Sequence, residues 1–185
     1  MSDRPRRAVG IRPARQADAA AIAEIHNQSI QAGGATMEDE LKTTGDVERQ
    51  LAAFGPREGL LVAESAGVDE VQEVIGWGLI KKYSPRAGYR YTCETAVYVD
   101  RGALGRGIGS ALKRALIVRC KALGYHHMVA KIFASNIASI EYNKRLGYET
   151  VGRQREIGYK NGEWCDVVIM QLILADVEPD PAITG

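Results

Sequence analysis

The chain has 185 residues, a size typical of a single domain. Hydrophobic residues make up 45% of it and charged residues 25%, which excludes a disordered, collagen-like or disulfide-rich protein. Because 24 Lys and Arg face 23 Asp and Glu, the net charge of +1 gives no overall field for binding nucleic acid or an anionic membrane. We expect one domain over residues 1–185, with a folded core at about 8–174 and flexible tails at 1–7 and 175–185.

Cysteine, histidine and apolar residues exclude several kinds of site. Cys93, Cys120 and Cys165 are odd in number and form no CxxC pair, so neither a disulfide framework nor a zinc ribbon is indicated and a reducing cytoplasm is expected. His126 and His127 lack further ligands at metal spacing, so we expect no metal site. Nowhere do about 18 apolar residues run together, as a membrane span requires.

Apolar periodicity predicts the order of strands and helices. Helices are expected to start at Asp18 and at Asp46, with residues 31–45 as a loop or broken helix between them. A third helix from Gly107 carries an apolar stripe, with Lys113 among the basic residues off it, and a fourth helix starts at Asn136. The predicted strands are 8–12, 60–65, 74–80, 89–99, 128–133, 150–159 and 166–174. This order predicts a mixed α/β sheet with flanking helices.

The segment VYVDRGALGRGIGSALKRAL at 97–116 runs from a strand through a glycine-rich loop directly into the third helix. Gly105, Gly107 and Gly109 let backbone amides approach a ligand closely, and the positive end of the following helix favours phosphate. The loop lacks the Gly-Lys-Ser/Thr of a P-loop and does not complete a GxGxxG fingerprint. It therefore predicts a different phosphate-binding turn, the alternative being a turn needed only for strand-to-helix geometry.

This segment resembles the pyrophosphate loop of the GCN5-related N-acetyltransferase (GNAT) family. The family pattern is Val-x-Val followed by Arg/Gln-x-x-Gly-x-Gly/Ala, and Gly107 and Gly109 match it while Leu104 replaces the Arg or Gln. The Asn-x-x-Ser at 136–139 and Leu-Gly-Tyr at 146–148 are similar to the family's later motifs. The resemblance implies a mostly antiparallel central sheet of about seven strands.

Two further segments resemble the phosphinothricin and methionine sulfone N-acetyltransferases within that family. They are the Arg-x-x-Tyr-x-x-Thr-x-Glu of residues 86–94 and the Gly-Tyr-Lys-x-Gly-x-Trp-x-Asp of residues 158–166. The resemblance spans about residues 9–174. It implies an acetyl-CoA-dependent enzyme that acetylates the α-amino group of a small amino acid or a glutamate-like analogue, by direct attack in a ternary complex.

The resemblance also implies where acetyl-CoA binds. Backbone amides from Gly105 to Ser110 would hold the pyrophosphate, while the strand at 97–99 would pair with the pantetheine arm. The implied acetyl-CoA-binding residues are Val97, Tyr98, Val99, Gly105, Arg106, Gly107, Ile108, Gly109, Ser110, Asn136 and Ser139.

Glu94 is the carboxylate that the sequence singles out for catalysis. An acidic residue inside an apolar strand is costly to bury without a partner, and a carboxylate beside an amine can act as a general base. The alternative is that strand alternation puts Glu94 on a solvated face. The resemblance assigns Glu94 the role of general base or of positioning the amine. Alternation sends the neighbouring Cys93 to the opposite face, which argues against a cysteine nucleophile.

The substrate-binding residues implied by the resemblance are Met37, Arg86, Tyr89 and Thr95. A guanidinium before the catalytic strand suits a carboxylate or phosphonate, although a lone loop arginine is often only solvated. Met37 stands where the subfamily has an aromatic or apolar residue in its substrate loop. The natural amine therefore stays open.

Asn143 stands where the family commonly has a Tyr or His that protonates the departing thiolate, and an amide cannot do this. Tyr142 is adjacent, but one residue turns about 100 degrees on a helix, so its side chain is expected to face elsewhere. Two rival functions remain: acetylation of a polyamine, aminoglycoside or protein N-terminus, and non-catalytic acyl-CoA sensing. The resemblance implies a homodimer, while Trp164 and Asp166 could serve packing, an interface or the site.

Overall fold

A computed structural model describes residues 9–65 and 72–183, in which seven strands form one mixed sheet. The strands are β1 (Gly10–Pro13), β2 (Gly59–Ser65), β3 (Glu73–Lys82), β4 (Thr92–Val99), β5 (His127–Phe133), β6 (Glu149–Lys160) and β7 (Glu163–Ile173). The helices are α1 (Ala19–Ala32), α2 (Thr44–Ala53), α3 (Ile108–Ala122) and α4 (Ile137–Arg145). The predictions for residues 1–8, the link at 66–70 and residues 184–185 lie outside the described residues.

The sheet order β1-β2-β3-β4-β5-β7-β6 is antiparallel except between β4 and β5. These two strands run parallel and pair only from Thr92 with His127 to Glu94 with Val129. Beyond Glu94 they diverge and leave a gap in the middle of the sheet, which we call the β4–β5 gap. The predicted fold class is confirmed.

Helices cover both faces of the sheet. On one face, α1 and α2 bury Ile22 and Val47 against Trp77 of β3. On the other face, Leu112 and Leu116 of α3 and Ile140 of α4 join the larger apolar core. The β4–β5 gap therefore lies between two layers of helices, where a ligand could be enclosed from both sides. No helix in the described residues is long and apolar enough to cross a membrane.

The start of α2 differs from the prediction. Thr43, not Asp46, is the capping residue: its hydroxyl accepts from the Asp46 amide at 3.2 Å, while the Asp46 carboxylate accepts from the Thr43 amide at 2.8 Å. The pattern Thr43-x-x-Asp46 is a capping box, in which the acidic residue comes three positions after the cap. Asp18 does precede α1, but its carboxylate binds Arg12 instead of capping the helix.

The C-terminal segment also differs from the expected frayed tail. Residues 175–183 lie against the body of the protein, where the Tyr91 hydroxyl donates to the Asp180 carbonyl at 2.8 Å and Ile183 lies against Gly124. Lys121 forms an ion pair with Asp176 at 2.8 Å. The sequence predicts a flexible tail from residue 175 onward, whereas these contacts fix the position of residues 175–183.

Candidate active site

A cavity of about 940 Å³ lies at the β4–β5 gap. Its walls combine residues that are far apart in sequence: the loop after α1, the middle of β3, the diverging halves of β4 and β5, and one side of α4. Of the predicted site residues, those that line it are Met37, Glu94, Thr95, Val97, Tyr98, Asn136 and Ser139. The fold therefore brings the predicted base, part of the substrate loop and part of the acetyl-CoA set into one cavity.

Glu94 lies where β4 and β5 separate, with 17% of its side chain exposed. Its carboxylate forms ion pairs with Lys131 at 2.7 Å and with Lys81 at 3.5 Å. Lys81 is its direct neighbour across β3 and β4, while Lys131 comes from β5. These two ammonium partners offset the cost of burying a carboxylate inside an apolar strand. A carboxylate in a cavity can accept a proton from an amine.

An aromatic wall stands beside Glu94 on the same face of the sheet. His26 of α1 meets the Tyr98 ring edge-on at 4.9 Å, and Tyr98 stacks on Trp77 at 4.4 Å. Burial lowers the pKa of His26, although the carboxylate of Glu38 opposes this effect. Burial also raises the pKa of Tyr98 to about 12. Both side chains are therefore neutral near pH 7 and form a wall of low charge.

Met37 lies in the loop between α1 and α2, and the β6–β7 hairpin holds this loop in place. The buried Lys160 ammonium donates to the Thr36 carbonyl at 2.8 Å and to the Glu38 carbonyl. A Cβ on Gly158 would come within 2.7 Å of the Met37 sulfur. These contacts give a physical reason for the Gly-Tyr-Lys motif at 158–160. Its glycine leaves room for the Met37 side chain, and its lysine binds the backbone carbonyls of the two residues that flank Met37.

We expect Lys160→Met to raise the KM for the amine substrate by about ten-fold, because the loop that carries Met37 loses two charge-assisted hydrogen bonds. Acetyl-CoA affinity should stay unchanged, since the glycine loop lies elsewhere. Steady-state kinetics with each substrate varied in turn would measure both. Lys121→Met, which removes an exposed ion pair, is the matched control. An unchanged amine KM would show that Lys160 does not position this loop.

The glycine-rich loop lies outside the cavity, at the start of α3. Gly105 and Gly107 have φ angles of 76° and 79°, which favour glycine, and an added Cβ would meet nothing within 4 Å at either residue. The side chain of Ile108 is buried in the core, so only its backbone faces a ligand here. The first amides of a helix have no partner within the helix and point outward. This loop fits a pyrophosphate group, because it leaves amides accessible and side chains out of the way.

The remaining residues that are predicted to bind acetyl-CoA surround this loop or begin α4. Val99 contacts the loop, since an added Cβ on Gly109 would lie 3.6 Å from its Cγ2 atom. Arg106 is exposed and Ser110 is half-buried in the first turn of α3. Asn136 caps α4 by accepting from the Ser139 amide at 3.1 Å, and both residues line the cavity. The Asn-x-x-Ser motif therefore has a structural role at the helix start as well as its predicted role.

Arg86 and Tyr89 are not among the residues that line the cavity. Both are exposed, and Tyr89 is the last residue of a short 3₁₀ turn instead of opening β4, which starts at Thr92. The Tyr89 ring packs edge-on against Tyr83 at 5.4 Å, and the Tyr83 ring lies 5.7 Å from the Lys131 ammonium. Their proposed contact with substrate remains a prediction, connected to the cavity only through Tyr83 and Lys131.

Lys113 corrects a sequence prediction. Helical periodicity predicts that Lys113 lies outside the apolar stripe of α3. In the structure, however, Lys113 is only 2% exposed and lines the cavity from the side of α3. Its ammonium donates to the Thr95 hydroxyl at 2.8 Å and lies 4.7 Å from the centre of the Tyr148 ring. The β4–β5 gap leaves the room that admits this long side chain, a tertiary feature that helical periodicity does not report.

The position of Tyr142 also differs from the prediction that its side chain faces away from the site. It lines the cavity together with Asn143, although a turn of 100 degrees separates them on α4. Long side chains on a helix lean back over the preceding turn, which brings the Tyr142 ring to the cavity wall. Burial raises the pKa of Tyr142 to about 12. The cavity therefore contains a neutral phenol beside the amide of Asn143.

The family model described as "Acetyltransferase (GNAT) domain" matches residues 11–169. The chain belongs to the GNAT acetyltransferase family. The predicted family and enzyme class are therefore confirmed.

Individual relatives agree with this assignment. The L-methionine sulfoximine/L-methionine sulfone acetyltransferase of Pseudomonas aeruginosa is 36% identical over 171 residues, which cover 92% of this chain and 98% of that protein. The structure of yncA from Salmonella typhimurium, with its cofactor acetyl-CoA, has 34% identity and a TM-score of 0.86, covering 94% of this chain and 99% of that one. The phosphinothricin acetyltransferase of Sinorhizobium meliloti, in complex with acetyl-CoA, has 31% identity, a TM-score of 0.85 and 95% coverage of both chains.

Proposed function

We propose that this GNAT enzyme transfers the acetyl group of acetyl-CoA to the α-amino group of a small amino acid or a glutamate-like analogue. The observation that carries the proposal is the carboxylate of Glu94, paired with Lys131 at the point where β4 and β5 separate, inside the cavity. A GNAT relative 36% identical to this chain acts on methionine sulfoximine and methionine sulfone, which supports this substrate class.

Acetyl-CoA would bind along the route that the glycine loop and the β4–β5 gap define. The amides from Gly105 to Ser110 would hold its pyrophosphate, through the open end of α3. The edge of β4 at 97–99 faces the gap and offers backbone groups to the pantetheine arm, and Asn136 lies across from it on α4. Thiol release then leaves CoA as the second product.

The amine substrate would occupy the part of the cavity between Glu94 and Met37. Cationic residues outnumber carboxylates in the cavity wall, which favours an amino acid with its own carboxylate over a polyamine. The cations are Lys42, Arg49, Lys81, Lys113 and Lys131, and the carboxylates are Glu38, Asp46 and Glu94. Lys81 and Lys131 would hold the substrate carboxylate close to Glu94, in the role that the sequence resemblance gave to Arg86.

Glu94 would accept the ammonium proton, directly or through one water, and the free amine would attack the thioester in a ternary complex. Cys93 is completely buried on the opposite side of β4, in contact with Cys120, and is not positioned for nucleophilic attack. The transfer therefore needs no covalent intermediate on the enzyme.

Free-thiol release from acetyl-CoA tests this proposal, measured across α-amino acids, phosphinothricin, methionine sulfone and polyamines, with CoA binding followed by calorimetry. We expect turnover on small α-amino acids or the two analogues, and none on polyamines. Turnover only on polyamines would contradict the substrate class, and failure to bind CoA would contradict the proposed cosubstrate.

We further propose a cytoplasmic homodimer. The β6–β7 hairpin exposes Val151, Ile157, Tyr159 and Trp164, a set of large apolar side chains that a second copy could cover. Asp166 does not belong to this exposed apolar set. Its carboxylate accepts hydrogen bonds from the Arg153 side chain and from the Glu156 amide, and both bonds stabilise the hairpin. Three free cysteines suit a reducing compartment. Light scattering on the purified protein would give twice the chain mass, and a monomer at micromolar concentration would contradict the dimer.

A further inference from the structure

The buried ammonium of Lys113 has no carboxylate partner in the part of the chain that the structure describes. Its one hydrogen bond goes to the Thr95 hydroxyl, and its other neighbour is the face of the Tyr148 ring. Burying a lysine without a counter-ion is costly, and such groups are rare away from functional sites. Because Lys113 also lines the cavity, a role in the reaction would explain why a lysine is buried there without a counter-ion.

Lys113 lies at the closed end of the β4–β5 gap. It is five residues beyond the start of α3, about 7.5 Å along the helix from the proposed pyrophosphate loop. Its ammonium reaches Thr95, the residue that follows Glu94 on β4. Because strand alternation turns Thr95 and Glu94 to opposite faces, Lys113 and Glu94 approach the gap from opposite sides. A thioester in the gap would have a base on one side and an ammonium on the other.

Asn143 on α4 cannot protonate the departing thiolate, the role that a Tyr or His commonly has at this position in the family. Its amide nitrogen donates to the Ser139 carbonyl at 2.8 Å, and its buried Oδ1 atom has no hydrogen-bond partner in the described residues. An amide cannot supply a proton to a departing thiolate near neutral pH. Lys113 is the one cationic acid that reaches the cavity from the α3 side of the sheet in the described residues.

We propose that Lys113 is the general acid of the reaction and protonates the sulfur of CoA as it leaves. This inference rests on the proposed function. The amine nitrogen forms a bond to the acetyl carbon, the carbon–sulfur bond breaks, and its electron pair stays on sulfur. Lys113 gives one proton to that sulfur and becomes neutral. The substrate ammonium loses two protons in forming the amide: Glu94 holds the one removed before attack, and the second passes from nitrogen to solvent water. Solvent exchange then returns Lys113 and Glu94 to their starting states.

Burial tunes Lys113 for this task by lowering its pKa to about 8, close to the 8.5 of an ordinary thiol. Matched pKa values allow rapid proton transfer in either direction. The titratable groups around Lys113 are Cys93 of β4, Cys120 of α3, and Tyr148 after α4. The hydrogen bond with Cys120, together with burial, raises the pKa of the Cys93 thiol, and burial raises the pKa of Tyr148. Cys93 and Tyr148 therefore stay neutral while Lys113 titrates.

The thiol of bound CoA provides a readout that does not depend on turnover. Thiolate absorbs in the ultraviolet, so its pKa can be measured in the enzyme–CoA complex by titration. We expect Lys113→Met to raise the pKa of the bound thiol by about one unit, because a neighbouring cation stabilises the thiolate. Lys113→Arg should keep it low. An equal thiol pKa in the wild-type and Lys113→Met complexes would overturn the proposal.

The pH dependence of kcat distinguishes two possible effects of Lys113, its positive charge and its ability to donate a proton. In the wild type, kcat should fall as the pH rises through about 8, because Lys113 loses the proton that it must donate. Lys113→Met and Lys113→Arg should both lower kcat at pH 7 by about a hundred-fold, the lower end of the range for general acids. Arginine keeps the charge but does not release its proton. Activity fully restored by arginine would overturn proton donation.

Tyr142→Phe is the matched comparison, since Tyr142 contributes a neutral phenol to the cavity wall from α4. It should keep the wild-type pH profile, and loss of kcat only in this variant would assign the acid to Tyr142. Thermal unfolding should show that both Lys113 variants fold. If the wild type binds no CoA, the proposed function fails first. CoA binding and turnover that are the same in the wild type and in both Lys113 variants would refute this inference but not the proposed function.

Discussion

Glu94→Gln should lower kcat by about a thousand-fold at pH 6, while acetyl-CoA binds as tightly as to the wild type. Glutamine fills the same space but cannot accept the ammonium proton. The defect should shrink as the pH rises, because an α-amino group with a pKa near 8 arrives increasingly deprotonated. Thiol release measured from pH 6 to pH 9 gives the profile, and calorimetry gives the affinity for CoA.

The matched control for Glu94→Gln is Glu141→Gln, which also breaks a glutamate–lysine ion pair but on the exposed side of α4. It should leave kcat within about two-fold, since exposed pairs contribute little. Equal rates for Glu94→Gln and the wild type at pH 6 would remove Glu94 from the mechanism. A defect that does not change with pH would reduce Glu94 to positioning the amine.

Gly107→Val should weaken CoA binding by about a hundred-fold or more. The φ angle of 79° at Gly107 is strained for a β-branched residue, so the loop must rearrange to accept valine. Loss of two amide contacts to a charged phosphate costs about 3 kcal/mol, which is roughly a hundred-fold in affinity. Calorimetric titration with CoA measures this directly.

Gly10→Val serves as its control, because Gly10 lies in β1 with nothing near an added Cβ and without a left-handed φ. CoA affinity should be unchanged there. Thermal unfolding of both variants separates a local change in the loop from global destabilisation. Retained CoA affinity in folded Gly107→Val would show that the pyrophosphate binds somewhere other than this loop.

Local sequence patterns are sufficient to predict the parts of this protein whose structure is local. The strand, glycine loop and helix at 97–122 follow from adjacent residues, and the structure places β4 and α3 there. The alternation that separates Cys93 from Glu94 is likewise a property of one strand. The capping box of α2 is also local, but its pattern Thr43-x-x-Asp46 assigns the cap to Thr43 and not to Asp46, the residue predicted to start the helix.

Other site features depend on which elements become neighbours, which the sequence does not state. Lys81 faces Glu94 only through the register of β3 with β4, and Lys131 only through the placement of β5. Lys113 is buried because two parallel strands separate and leave room for it. Charge within otherwise apolar strand sequences was the available signal for Lys131. No local pattern predicted a buried lysine on the apolar side of α3.

A crystal structure of the enzyme with CoA and methionine sulfone bound would test the central claim most directly, since the claim is that transfer occurs in the β4–β5 gap. We expect the pyrophosphate on the amides of residues 105–110, the CoA sulfur in the gap beside Thr95, and the substrate amine within one water of Glu94. Lys113 should lie on the opposite side of the sulfur. A CoA arm outside the gap, or an amine remote from Glu94, would contradict this account.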